Sequence, residues 1–207
     1  EKWFLGSYGS NNLQLKTATA NASSLLEITS DGKVGISETA PQALLHLNDG
    51  ANSAIMFGNT THGYKIRSNV TGSNDYGLLI EDEDGVDLYR AVSSTGSSNA
   101  DTHTFYTAGE ERLRIDSSGR LLLGTTTEGY SDADDLTIAT STHTGITIRS
   151  GTSSLGTIAF SDATSGQDEY KGFIQYNHSQ DTLYLGSSHQ TRLTCNADGN
   201  SKFVGIV

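Results

Sequence analysis

The sequence predicts an all-β protein, built from repeated short-strand modules of the β-sandwich or β-prism type. Three observations support this: short runs of alternating apolar residues, turn-forming segments between them, and a stretch that recurs along the chain. The 207 residues include 23 glycines and one proline, and only 34% are hydrophobic, against about 45–50% in ordinary domains. Such a chain has little apolar surface to bury, so we expect partner chains to complete its core.

The recurring stretch is ERLRIDSSGRLLLGT at 111–125, which repeats the pattern of LLEITSDGKVGI at 25–36. These two copies align at an offset of 87 residues, and a third copy follows at an offset of 80. The matched positions are Leu26, Ile28, Gly32, Val34 and Ile36, then Leu113, Ile115, Gly119, Leu121 and Leu123, and finally Leu193, Cys195 and Gly199. The spacing predicts the end of one module at 1–40 and two full modules at 41–125 and 126–207.

Each copy is predicted to be a β-hairpin with a three-residue loop. Only that loop length sets Ile28 opposite Val34, and Leu26 opposite Ile36, on one face. Such loops commonly end in a left-handed residue, which predicts structural turn glycines at Gly32, Gly119 and Gly199. In the third copy Cys195 would face Ser201, so we expect a different register or turn there.

Further short strands are predicted from alternating or β-branched runs bounded by turn residues. No window shows helical periodicity with capping signals at both ends. Segment 93–101 is interpreted as an exposed loop. The predicted strands are 44–47, 54–57, 64–67, 77–81, 86–90, 103–107, 135–140, 145–149, 156–160, 171–176 and 182–186.

Charge and composition exclude several partner classes. With 13 basic and 24 acidic residues the net charge is −11, which opposes binding to nucleic acid or to anionic lipid. No apolar run reaches the roughly 18–20 residues of a membrane span, so we expect no membrane insertion. Cys195 is the only cysteine, which excludes a disulfide within the chain. It occupies the hairpin position that Ile28 and Ile115 fill in the other copies, which predicts a buried apolar residue.

No motif indicates catalysis, a metal or a cofactor. The six histidines are scattered singly, whereas a zinc site needs three or four converging ligands. The acidic segment EDEDGVD at 81–87 does not fit the spacing of a calcium-binding loop and is interpreted as an acidic hairpin turn. Tyr76, Tyr130 and Tyr170 are predicted to lie in loops, where exposed rings are candidates for receptor binding.

The stretch ERLRIDSSGRLLLGT resembles a segment that recurs in tail fibre proteins of tailed bacteriophages, particularly those of marine and cyanobacterial hosts. DGKVGISETAPQALLHL at 31–47 resembles a second turn motif of that family, although Ser37 replaces a glycine. The resemblance implies an elongated homotrimeric fibre in the virion, outside the host cell. Its implied partners are other phage tail proteins and a glycan or protein of the host surface.

The sequence thus predicts a non-enzymatic fibre segment, part of a longer protein, that holds or forms a host-contacting tip. The fibre would hold several copies of its host-contacting residues rigidly in place, so that individually weak contacts with the host surface add. Two alternatives stay open: a tailspike that cleaves surface polysaccharide, and a cellular lectin-like adhesin. The sequence does not choose between a single-chain sandwich and an intertwined trimeric fold.

Overall fold

A computed structural model describes residues 3–7, 11–17, 24–48, 53–58, 62–70, 75–94 and 101–205. These residues contain eighteen strands and one short 3-10 helix, Gly166–Tyr170. The strands are Trp3–Ser7 (β1), Leu13–Thr17 (β2), Ser24–Ile28 (β3), Val34–Ile36 (β4), Leu45–Leu47 (β5), Ala54–Gly58 (β6), Gly63–Val70 (β7), Asp75–Asp82 (β8), Asp87–Ser94 (β9), Thr102–Thr107 (β10), Glu110–Ile115 (β11), Leu121–Leu123 (β12), Leu136–Ile138 (β13), Leu155–Phe160 (β14), Gly172–Asn177 (β15), Thr182–Ser187 (β16), Gln190–Cys195 (β17) and Ser201–Phe203 (β18). The prediction of an all-β protein is therefore confirmed.

The strands form three sheets in which chain neighbours are also spatial neighbours. The first contains β1 to β5, the second β6 to β13 and the third β14 to β18. All pairs are antiparallel except β4 with β5 and β12 with β13, which are parallel. Strands β5 and β13 lie after residues 40 and 125, where two of the predicted modules end, yet each belongs to the same sheet as the hairpin before it. The predicted modules 1–40, 41–125 and 126–207 stay a prediction, and backbone contacts divide the chain into two units, Glu1–Thr144 and Gly145–Val207.

The sequence repeat corresponds to a repeated group of three strands. The groups β2-β3-β4, β10-β11-β12 and β16-β17-β18 each carry a β-bulge at the same place in their middle strand, where one extra residue is left out of the pairing. The extra residues are Leu25, Arg112 and Arg192, which directly precede the aligned residues Leu26, Leu113 and Leu193. Since a bulge changes the twist and direction of a strand, its recurrence shows that the copies share backbone geometry as well as residue pattern.

The hairpin registers agree with the three-residue loops predicted from the sequence. Ile28 pairs with Val34 and Leu26 with Ile36, and the second copy repeats the arrangement. In each copy the third loop residue is a glycine with positive φ. The φ angles are 85° at Gly32, 83° at Gly119 and 82° at Gly199. Glycine suits this left-handed conformation because it has no Cβ to clash with the backbone.

The expectation of a different register in the third hairpin is wrong. Leu193 pairs with Phe203 and Cys195 with Ser201, as in the other copies. The Ser201 hydroxyl lies 3.6 Å from the Cys195 sulfur. A thiol and a hydroxyl can therefore occupy a position where the other copies pair two aliphatic residues, because the turn geometry fixes the register.

The turn glycines lead to a first testable expectation. Gly119 and Gly145 both have open space where a Cβ would be, but only Gly119 is in the left-handed region. Gly119→Ala is expected to lower the free energy of unfolding by about 1–2 kcal/mol, while Gly145→Ala is expected to be neutral or slightly stabilising. Urea denaturation of both variants measures the difference. Equal effects would show that the conformation of the loop does not depend on glycine.

Each sheet has one face with an unbroken row of apolar residues. The row in the second sheet crosses all eight strands, one residue from each. The apolar rows are Leu15, Leu26, Ile36 and Leu47 in the first sheet; Ile55, Ile66, Ile80, Tyr89, Phe105, Leu113, Leu123 and Ile138 in the second; and Ile158, Ile174, Leu185, Leu193 and Phe203 in the third. We call the face that carries such a row the apolar face.

Burial is inverted relative to this pattern. Among the described strand residues, the buried side chains lie on the face opposite the apolar row: Gln14, Glu27, Leu79, Glu81, Val92, Thr102, Thr104, Leu122 and Thr182. On the apolar face, Phe105 is 43% exposed and Phe203 is 63% exposed. The single chain therefore covers its more polar faces and leaves the apolar faces open to solvent.

In the described part of the chain, no helix is long and apolar enough to cross a membrane.

Two of the predicted elements differ from the structure. The sequence predicts a strand at 145–149, but the segment is irregular and pairs with no strand among the described residues, and Ile146 and Ile148 are 68% and 47% exposed. Alternation alone does not make a strand where no neighbouring backbone completes the hydrogen bonds. Within the predicted loop 93–101, residues 93 and 94 belong to β9, and 95–100 lie outside the described residues.

Candidate functional site

Tyr130 is the more exposed of the two predicted receptor-binding tyrosines whose side chains the structure describes. It lies in the connection between β12 and β13, where the alternating pattern is interrupted, and it is 72% exposed. Its hydroxyl donates a hydrogen bond of 2.8 Å to Oδ2 of Asp132. The ring face therefore remains available for stacking, while a carboxylate beside it can accept hydrogen bonds from hydroxyl groups.

Tyr170 lies at the end of the 3-10 helix, and the structure places it beside His189. It is 43% exposed, and the ring centroids are 5.9 Å apart in an edge-to-face arrangement. Oδ1 of Asp168 lies 3.1 Å from Nε2 of His189 and 3.3 Å from Nζ of Lys171. The Lys171 ammonium first, and His189 second, hold the pKa of Asp168 below its ordinary value. These four residues form one surface cluster in the unit Gly145–Val207.

His189 has an unusual backbone conformation for a histidine. It and Ser188 form the β16-β17 turn with φ angles of 62° and 51°. At the offset of 80 residues, the corresponding turn in the second sheet has Ala108 and Gly109, with φ angles of 53° and 75°. A non-glycine residue in this region costs about 1–2 kcal/mol, so the third sheet carries a strained histidine where the second uses glycine.

Tyr76 does not lie in a loop, which corrects the sequence-based expectation. It belongs to β8, where its backbone pairs with Val70 and Ser93. The sequence prediction began this strand at residue 77 because Asn74 and Asp75 are turn-forming residues. Strand pairing with β7 and β9 extends it past that signal. The side chain of Tyr76 lies outside what the structure describes.

The face of the second sheet opposite its apolar row carries a set of charged residues that the sequence analysis did not single out. Arg67 and Glu81 form a two-pronged ion pair in which Arg67 Nε donates to Glu81 Oε2 at 2.7 Å. Arg114 and Glu111 form a second, with Nε to Oε1 at 2.7 Å and the terminal nitrogen to Oε2 at 2.8 Å. Each carboxylate raises the pKa of its arginine above the ordinary value. Glu81 is 3% exposed, so its pair is the more deeply buried of the two.

The acidic segment 81–87 is a hairpin turn, as the sequence indicated. Oδ1 of Asp82 accepts a hydrogen bond of 2.8 Å from the backbone N–H of Val86, and Gly85 has a φ of 82°. Glu81 precedes the turn and is directed into the ion pair with Arg67. Among the residues that the structure describes, no group of three or more His, Cys, Asp or Glu side chains is arranged to hold a metal ion.

Cys195 and His103 both occupy positions on the apolar faces. Cys195 is half-buried, so the expectation of a buried residue is corrected to partial burial in the single chain. His103 pairs with Ala91 and Ile115 in the second sheet. Its Nδ1 lies 2.6 Å from the hydroxyl of Tyr89, which supplies the hydrogen bond that an imidazole on an apolar surface needs.

Comparison with known proteins identifies no relative: no protein-family model and no curated protein sequence matches the chain. Function must therefore be argued from the residues and the geometry.

Proposed function

We propose that this protein is a segment of a bacteriophage tail fibre that assembles as a homotrimer and takes part in attachment to the host surface. The segment acts by rigid and multivalent presentation of its loops, not by catalysis. The observation that carries the proposal is the open apolar face of each sheet.

The apolar faces support an assembly of several chains. Phe105, Leu123 and Phe203 lie on these faces and are 43%, 42% and 63% exposed in the single chain. Permanent interfaces between chains are rich in apolar residues, so faces of this kind are suited to be covered by neighbouring copies.

The closed threefold arrangement is supported by the residues that carry the resemblance to tail fibres. The stretch 111–125 contributes Leu113, Leu121 and Leu123 to the apolar face, so the same residues that carry the family pattern also carry the surface in need of a cover. Threefold rings are among the common closed symmetries, and each chain in them uses the same two patches.

The candidate receptor-contacting residues are Tyr130 and Tyr170, the two predicted tyrosines with described side chains. Both rings are exposed on irregular segments between strands and have a carboxylate nearby. Aromatic rings beside hydrogen-bonding groups suit recognition of sugars, whose faces are apolar and whose edges carry hydroxyl groups.

Binding to purified lipopolysaccharide and capsular polysaccharides from a panel of marine bacteria tests the attachment role. We expect saturable binding to at least one of them, reduced about tenfold in Tyr130→Ala or Tyr170→Ala, since about 1.4 kcal/mol corresponds to that factor. Tyr184→Ala is the matched control, because this half-buried tyrosine lies within β16 and its hydroxyl donates to Gln180. Release of oligosaccharides would instead identify a depolymerase, and the absence of binding throughout the panel would contradict a role in glycan attachment.

A further inference from the structure

The third sheet differs from the second at two of its connections. Between β14 and β15 the connection has eleven residues, 161–171, and contains the 3-10 helix, whereas the hairpin β6-β7 that begins the second sheet has a connection of four, 59–62. The β16-β17 turn has His189 in a left-handed conformation where the second sheet has Gly109. In repeated structures, insertions confined to one module commonly form the binding face.

The longer connection and the strained turn are in contact with each other. The backbone N–H of His189 donates to the carbonyl of Lys171 at 3.2 Å, and its Nε2 lies 3.1 Å from Oδ1 of Asp168. The imidazole lies edge-to-face against the ring of Tyr170, with an angle of 77° between the two planes. We call Asp168, Tyr170, Lys171 and His189 the loop cluster.

The loop cluster presents binding groups at an open surface. The side chains of Asp168 and Lys171 are 51% and 46% exposed, and Tyr170 is 43% exposed. Within the described part of the chain, no hydrogen bond engages the Tyr170 hydroxyl. A carboxylate can accept about four hydrogen bonds, and the contacts of Asp168 with Lys171 and His189 use two of them. The cluster therefore combines an accessible ring with an acceptor that has capacity left.

We infer that the loop cluster is a binding site for a neutral pyranose, which stacks on Tyr170 and donates its hydroxyl groups to Asp168. The inference rests on the proposed attachment function, and it adds the ligand class and a further binding residue, His189. The His189 ring stands nearly perpendicular to Tyr170 and forms the second wall of the site. Left-handed backbone strain outside glycine is found at ligand sites, where the surrounding structure holds it in place.

The charges of the site favour a neutral sugar over an acidic one. Nζ of Lys171 lies 3.1 Å from Oδ2 of Asp162 and 3.3 Å from Oδ1 of Asp168, so two carboxylates already share one ammonium. The chain as a whole has a net charge of −11. A uronate would bring another negative charge to a surface with no unshared cation, whereas the hydroxyl groups of a neutral sugar can donate to the carboxylates.

Titration of the whole chain with the methyl glycosides of glucose, galactose and mannose, and with sodium glucuronate at equal ionic strength, tests the ligand class. At about 50 mM, which saturates a site with a Kd of about 1 mM, at least one neutral glycoside is expected to shift the aromatic NMR signals of Tyr170 and His189. Glucuronate is expected to leave them in place. Shifts with glucuronate alone, or with none of the four compounds, would overturn the inference.

Two variants separate a binding role of His189 from a structural one. His189→Gly reproduces the turn of the second sheet, and because it removes the left-handed strain it is expected to keep or raise Tm. His189→Asn tolerates the same conformation and can still donate to Asp168, but it has no aromatic ring. Both are expected to raise the Kd of the glycoside about tenfold.

His178→Asn is the matched control and is expected to keep the Kd of the unaltered protein. His178 is also an exposed histidine in edge-to-face contact with a tyrosine, Tyr176, at 4.9 Å between ring centroids. An unchanged Kd in His189→Asn would reject the binding role of His189. Polysaccharide binding that depends on Tyr130 alone would reject the loop cluster and leave the proposed function intact, whereas a monomer that binds no polysaccharide would reject the proposed function.

Discussion

Replacing Leu123 by aspartate is expected to separate the proposed trimer into single chains. Leu123 lies in the apolar row of the second sheet, between Leu113 and Ile138, and is 42% exposed in the single chain. If neighbouring chains cover this row, the substitution places an unpaired carboxylate in an apolar interface, at a cost of several kcal/mol for each chain. A trimer contains three such sites, so the effect is multiplied.

Light scattering measures the outcome as a loss of mass, with circular dichroism to report whether strand content survives. Thr126→Asp is the matched control, since Thr126 is exposed in the loop after β12 and three residues from Leu123. We expect this control to keep the mass of the unaltered protein. If Leu123→Asp kept that mass too, the apolar face of the second sheet would not be an interface between chains.

Replacing Glu81 by glutamine is expected to produce the largest loss of stability on the charged face. Glu81 is 3% exposed and neutralises Arg67 through two hydrogen bonds. Breaking a buried ion pair from one side costs about 3–5 kcal/mol, because the remaining charge stays buried without compensation. Arg67 retains 21% side-chain exposure, so water reduces the penalty and we expect a loss near 3 kcal/mol.

Glu128→Gln provides the control for the loss of one negative charge. The Glu128 side chain is 52% exposed, and its carboxylate lies 3.9 Å from Arg120, a distance and exposure at which ion pairs contribute little. Urea denaturation should separate the two variants clearly. Similar free energies of unfolding would mean that the charged face is solvated and does not depend on its ion pairs for stability.

The hairpins were predictable because two local rules act together. Alternation determines which side chains share a face, and a glycine at the third loop position determines the loop length. For Leu26, Ile28, Val34 and Ile36 the two rules agree, and the structure has the predicted pairs. The third hairpin shows that the turn rule is sufficient, because its register persists although Ser201 breaks the apolar pattern.

The candidate site was less predictable, because alternation shows which residues share a face of the sheet but not which face is buried in the folded chain. Arg67, Arg90 and Arg114 are far apart in the sequence and come into line only when the registers of five strands are known. The proximity of Tyr170 to His189 likewise depends on the β16-β17 turn, in which the His189 N–H donates to the carbonyl of Lys171, directly after the 3-10 helix. The sequence feature that could have drawn attention to this cluster is His189, which stands where the second copy of the repeat has Gly109.

The expectation that partner chains complete the core, which rests on the low apolar content, stays a prediction. A low apolar content is compatible with a stable protein if the apolar residues are gathered into rows that several chains cover together.

The mass of the unaltered protein in solution tests the central claim most directly. Because one chain has a mass of 22.0 kDa, sedimentation equilibrium should give about 66 kDa, unchanged on tenfold dilution, as three tightly joined chains require. A folded species of 22.0 kDa that remains soluble and monodisperse would contradict the account, because its apolar faces would then be stable in water.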